Sequence, residues 1–327
     1  MLIGALAGGD QISGPVWVPS APPSLENYLA PTLQPIPLLP AIAVLMGLLY
    51  LSGAIKLWVT GRSWSLAATA SFLGGCVVIA VVMGAGVEGY GLRMFSVFMF
   101  QQLTLMMAVP PLLVLGKPGT LLLRALPHNR LGRTVMTGAR WGLRSSLGRV
   151  LIHPALMIPL FLGCFYGLYL SGAADTLLRT WTGHVGLEVL FLVAGILFTV
   201  PILSTDPLPA RQSHMGQAVD VAVEMPLHAF FGVVLMMAPA PLVPFFASPP
   251  ASWGLDPLKD QGTAGGLAWS YGELPTLIIL LLILTRWFRV DTRDAAAADR
   301  RIDRDGNPEL DAYNAYLAQL HRQGPAR

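Results

Sequence analysis

Residues 94–127 read MFSVFMFQQLTLMMAVPPLLVLGKPGTLLLRALP. From Met94 to Gly116 the run is apolar and long enough to cross a bilayer, which takes about 20 residues as a helix. Pro110 and Pro111 fall in its lower half, and two missing N–H donors predict an interruption there. The run leaves the apolar phase at Lys117 and enters the most basic loop of the chain. Gln101, Gln102 and a group of methionines give it polar and soft side chains at membrane depth. It reads as the third of seven spans, and as the place to look for a metal function.

The rest of the chain agrees with a membrane setting. Of 327 residues 54% are hydrophobic and 12% charged, with mean hydropathy +0.60. Soluble domains carry about 25% charged residues, so the expected class is an all-α polytopic helical bundle. Apolar runs are expected to span at about 36–57, 65–85, 94–116, 151–171, 184–203, 219–247 and 268–288. The sixth is overlong and holds Pro226, Pro239, Pro241 and Pro244. Three regions follow: a proline-rich outer segment over 1–35, a membrane domain over 36–290, and a charged helical tail over 291–327. The first residues, MLIGALAGGDQISGPVW, lack the basic start and long apolar stretch of a signal peptide.

Lys and Arg set the orientation. With the N-terminus outside, 18 basic residues fall on the inner side and only Arg93, Arg179 and Lys259 on the outer. The chain is therefore expected N-out and C-in, multi-pass in the cell membrane. The net charge of +3 reflects this sidedness and gives no ground for nucleic-acid binding. The loop over 117–150 spaces its basic residues like a helix, with Leu131, Val135 and Trp141 among them, and reads as an interfacial segment on anionic lipid. The tail mixes both charge signs to Gly306, after which Leu310, Tyr313, Leu317 and Leu320 form one apolar stripe.

Ionisable residues inside spans are costly and mark function. His184 and Glu188 are four apart and share a helix face, as do Glu224 and His228; Glu273 precedes the core of the last span. Metal coordination, proton handling and simple pairing are all open to them. Met99, Met106, Met107, Met236 and Met237 offer thioethers, which suit Cu(I) and also fill cores. Cys76 and Cys164 lie in apolar runs and read as small buried residues. No nucleotide loop, nucleophile triad or zinc-protease motif is present, so an enzyme is not expected.

Five segments carry a resemblance: MMAVPPLLVLGKPGTLLLRALP, STDPLP at 204–209, EMPLHAFFGVVLMM at 224–237, DQGTAGGLAWSYGELP at 260–275, and the tail over 293–320. Together they resemble the CtaG-type cytochrome c oxidase assembly proteins, most of all the actinobacterial branch, in which this region often follows a CopD-like copper-resistance domain. The resemblance implies a seven-span membrane factor that handles Cu(I) for the copper centres of the respiratory oxidase, with cytochrome c oxidase subunits as partners. The family's third span usually reads His-Met-x-Gln-His. Here Met99 and Gln101 match, whereas Phe98 and Gln102 stand at the histidines. Leu190 stands at a third histidine position, and His184 and His228 are kept. The resemblance implies copper at His184, Met99 and His228, and Glu188 and Gln102 beside them complete the candidate metal set. A membrane copper transport or resistance component, and a metal-free paralogue with a structural or partner-binding role, remain the alternatives.

Overall fold

The computed structural model describes residues 12–126, 132–134, 136–138, 145–206, 212–306 and 308–323. The basic-loop positions Leu131, Val135 and Trp141, the first eleven residues and the second half of STDPLP lie outside them. The described residues are helical, with one isolated bridge between Ser13 and Thr180 and no strand among them. The chain divides into two compact units, Met1–Leu280 and Leu281–Arg327.

Five helices are long and apolar enough to cross a membrane: Leu38–Val59, Phe95–Ala125, Trp181–Leu203, His214–Met237 and Pro257–Arg304. Two shorter apolar helices, Leu66–Val82 and Pro154–Leu170, fall where the second and fourth spans are expected. Their starts are chemically marked. Ser65, Thr180 and Ser213 each accept a bond from a backbone N–H in the first turn that follows. Asp256 does the same ahead of Pro257, whose fixed φ suits the first helical position.

The run over 95–125 is the central helix: 78% of its apolar window is buried, against 50% or less in the other four. Its proline pair does not break it. A π-helical turn at Thr104–Ala108 precedes Val109–Leu115, which carries Pro110 and Pro111 at its start. The wider turn relieves the clash between each ring and the carbonyl one turn back. Pro110, which has no N–H, leaves the Met106 carbonyl four residues back without its usual donor. That carbonyl faces Gly195 so closely that a Cβ there would sit 2.1 Å from the oxygen.

Two other expected boundaries move. The sixth helix begins at His214 and ends at Met237, ten residues before 247. Ala238 is extended, the conformation imposed on a residue ahead of proline, and Pro239 follows it. The last helix begins at Pro257 rather than 268 and runs on to Asp305, where Gly306 at φ 78° ends it.

Carboxylates tie distant elements together at helix starts. Asp260 accepts from the backbone N–H groups of Phe95 at 2.6 Å and Ser96 at 3.3 Å, and from the Ser96 hydroxyl. Asp206 accepts from Gly119 and Thr120 N–H at 2.8 and 2.9 Å, capping the helix Pro118–Ala125. The proline-rich N-terminal segment is also tied down. Ser13 and Trp181 bond through their backbones, the Gln34 amide bonds both backbone groups of Trp17, and the Tyr90 hydroxyl donates to the Ala21 carbonyl.

The unit from Leu281 on continues helical to Asp305 and resumes as Pro308–Gln323. Its stripe of Leu310, Tyr313, Leu317 and Leu320 is exposed.

Candidate metal centre

His184 lies in the first turn of the helix Trp181–Leu203. Thr180 caps that helix, accepting from Gly183 N–H at 3.0 Å. One turn on, Glu188 brings Oε1 to 3.0 Å from His184 Nε2. A third group joins them from far away in the chain. Glu88, in the short helix Gly86–Gly91, places Oε1 3.5 Å from the same nitrogen. One ligand atom from each of the three lies within 4.8 Å of the others.

All three side chains are buried: His184 is 2% exposed, Glu188 5% and Glu88 6%. Neither ring nitrogen of His184 has a hydrogen-bond partner, and neither does Glu188 Oε1. The atoms are near one another without hydrogen-bond alignment. They converge on a shared point, as donors around an ion do. Burial of the two carboxylates is offset either by a protonated imidazole, which faces both, or by a bound cation in its place. A small cavity borders the cluster, lined by all three residues together with Val16, Gln34 and Trp181.

Gln101 supports Glu88. Its amide nitrogen donates to Glu88 Oε2 at 2.5 Å, which fixes the carboxylate and leaves Oε1 towards His184. Phe98 covers the imidazole, with ring centroids 5.5 Å apart. The position where the resemblance expects histidine therefore does face His184, but with an apolar ring.

The other expected ligands are elsewhere. Gln102 is fully buried, but it donates to the Cys164 carbonyl at 3.0 Å and accepts from the Tyr169 hydroxyl. Its amide is spent on the fourth helix. Met99 is buried in the core. Leu190 is exposed on the outside of its helix. His228 belongs to a second group, with Glu224 Oε1 at 2.8 Å from Nδ1 and Glu273 Oε1 at 3.7 Å from Nε2. The structure thus joins His184 and Glu188, adds Glu88, and sets Gln102 and His228 apart from them. Glu88 had one sequence signal: it is the sole acidic residue between Glu26 and Asp175.

The profile of the cytochrome c oxidase caa3 assembly factor family (Caa3_CtaG) matches residues 48–290. The chain belongs to this family. Its match includes all three residues of the cluster and the second group around His228. An uncharacterized protein of Mycobacterium bovis is 38% identical over 291 residues, and one of Mycobacterium leprae is 36% identical over 291. In both cases 87% of this chain is covered but only 44% of the relative, so the chain spans less than half the length of these proteins. No solved structure matches it. Its apolar helices suit it to a membrane.

Proposed function

We propose that this assembly factor serves cytochrome c oxidase by holding copper at Glu88, His184 and Glu188 on the outer side of the cell membrane. The observation that carries this reading is the convergence of two carboxylates and an imidazole in one buried place. Two oxygens and a nitrogen make a hard-to-borderline donor set. Such a set suits a divalent ion, Cu(II) included, better than Cu(I), which favours sulfur. The copper is cargo for the oxidase, and nothing in the cluster calls for catalysis. Gln101 holds the Glu88 carboxylate in place, and Phe98 keeps water from the imidazole. The reading takes seven spans, counting the two shorter apolar helices, with the N-terminus outside and the C-terminus cytoplasmic, as the Lys and Arg distribution favours.

Deletion of the gene, with assembled oxidase measured by its haem spectrum with and without added copper, tests this directly. Oxidase should fall in the deletion strain, recover with the wild-type gene, and fail to recover with His184→Ala or Glu88→Gln. Oxidase unchanged by the deletion in both conditions would overturn the proposal.

A further inference from the structure

The helix Leu38–Val59 starts beside the cavity of the Glu88–His184–Glu188 cluster, which Leu38 and Leu39 help to line. Its 22 residues place its other end about 33 Å away, close to the thickness of a bilayer's hydrocarbon core. Three cations gather at that end. Lys56 Nζ donates to the Ala125 carbonyl at 2.6 Å, and the Arg62 guanidinium donates to the Arg124 carbonyl at 3.3 Å. Arg124 reaches the other way. Its guanidinium donates to the Ser63 carbonyl at 3.0 Å and lies over the Trp64 ring, 5.6 Å from the centroid. The end of the helix Pro118–Ala125 is thereby clasped to the turn that follows Val59. Close packing prepares the clasp: a Cβ on Gly53 would sit 3.4 Å from the Leu121 side chain and 3.5 Å from that of Ala125.

These bonds go to neutral carbonyls. The last turn of a helix favours positive charge, but it does not cancel three full charges. Among the described residues no carboxylate pairs with Lys56, Arg62 or Arg124. The sequence supplies the reason. Between Glu26 and Asp175 the sole acid is Glu88, which belongs to the cluster at the other end of the helix. Asp206 does reach the start of the helix Pro118–Ala125, but it is taken by the N–H groups of Gly119 and Thr120. An ammonium has three donors and a guanidinium five, so most of the donors here are left over after the carbonyl bonds. All three side chains are exposed, and their charge calls for an anion from outside the chain.

The surroundings say what kind of anion. Val59 and Leu66 flank the cations and are 81% and 72% exposed. Trp58 and Trp64 are half-buried between them, joined by a 3.2 Å bond from the Trp58 indole to the Trp64 carbonyl. Tryptophan and basic side chains beside exposed aliphatic ones mark the headgroup level of a membrane. We propose that Lys56, Arg62 and Arg124 bind the phosphate of an anionic phospholipid whose acyl chains cover Val59 and Leu66. Guanidinium forks pair with phosphate oxygens, and the ammonium adds a point charge. A zwitterionic headgroup brings its own cation and gains less from the same three residues.

The purified full chain in neutral detergent, titrated with phosphatidylglycerol or with phosphatidylcholine of equal chain length, tests the site by native mass spectrometry and thermal melting. Wild type should retain phosphatidylglycerol in preference, and should melt at a higher temperature with it, because a ligand of the folded state stabilises that state. Lys56→Gln with Arg62→Gln should lower the preference roughly 10–30-fold, the size expected for two basic residues at an anionic membrane surface. Monodisperse elution and an unchanged helical spectrum check that this chain folds, and Arg62→Gln alone should show part of the same loss. Arg179→Gln, near the other end of the molecule, should leave the preference unchanged. Equal retention of the two lipids by wild type, a preference that survives the double variant, or an equal loss in Arg179→Gln would overturn the proposal. Displacement of the lipid by millimolar inorganic phosphate would also overturn it, by making this a site for a free anion.

Discussion

Gln101 is not one of the three donors of the Glu88–His184–Glu188 cluster, yet it holds one of them in register through a 2.5 Å bond to Glu88. Replacing such an orienting partner weakens metal affinity by about 10–100-fold in known sites. Gln101→Leu should therefore weaken metal binding at the Glu88–His184–Glu188 cluster by a factor in that range, in a chelator competition with Cu(II), while leaving the melting profile close to wild type. Equal affinity in the two chains would remove Gln101 from the site. At this scale the sequence is informative only where partners are near in the chain. His184 and Glu188 are one turn apart, so their contact follows from helix geometry. Glu88 approaches them only through tertiary packing of the short helix Gly86–Gly91, and no local spacing encodes that. Gln102 misleads for the same reason: its side chain is claimed by Cys164 and Tyr169, residues of another helix.

The central helix shows how a local rule yields to its surroundings. Two adjacent prolines predict a break, but the π-helical turn before them absorbs the missing donors and the ring bulk. The freed Met106 carbonyl then needs a neighbour without a side chain, and Gly195 meets it. Gly195→Ala would force its Cβ to 2.1 Å from that oxygen. Overpacking of this kind costs about 1–3 kcal/mol. The variant should unfold at a lower denaturant concentration in mixed micelles, and an unchanged midpoint would mean that the two helices part without cost. Proline acts by the ordinary rule at the other end of the sixth helix. There no π turn intervenes, and Ala238 ahead of Pro239 stays extended.

Across the molecule, class and sidedness rest on sums over many residues, and sums survive local misreadings. The expected split of 18 basic residues to 3 does not depend on where any helix begins. A reporter active only in the cytoplasm should work when fused after residue 135, and one active only outside should work when fused after residue 255. An outer reporter active at 135 would reverse the orientation. Helix ends are harder to read from composition, because a span can extend well past its apolar core. The last helix does so in both directions, from Asp256 at its start to Gly306 at its end.

The bonds that tie the proline-rich N-terminal segment down also have a kinetic meaning. Ser13 bonds the first residue of the His184 helix, and Val16 and Gln34 form part of the wall of the cavity beside the Glu88–His184–Glu188 cluster. Gln34 is at the same time bonded to Trp17. An occupant of that cavity would meet a wall that these bonds hold in place, so loosening them should shorten its residence time. A partner that pulled on residues 13–34 would then ease release without touching His184, Glu88 or Glu188 at all.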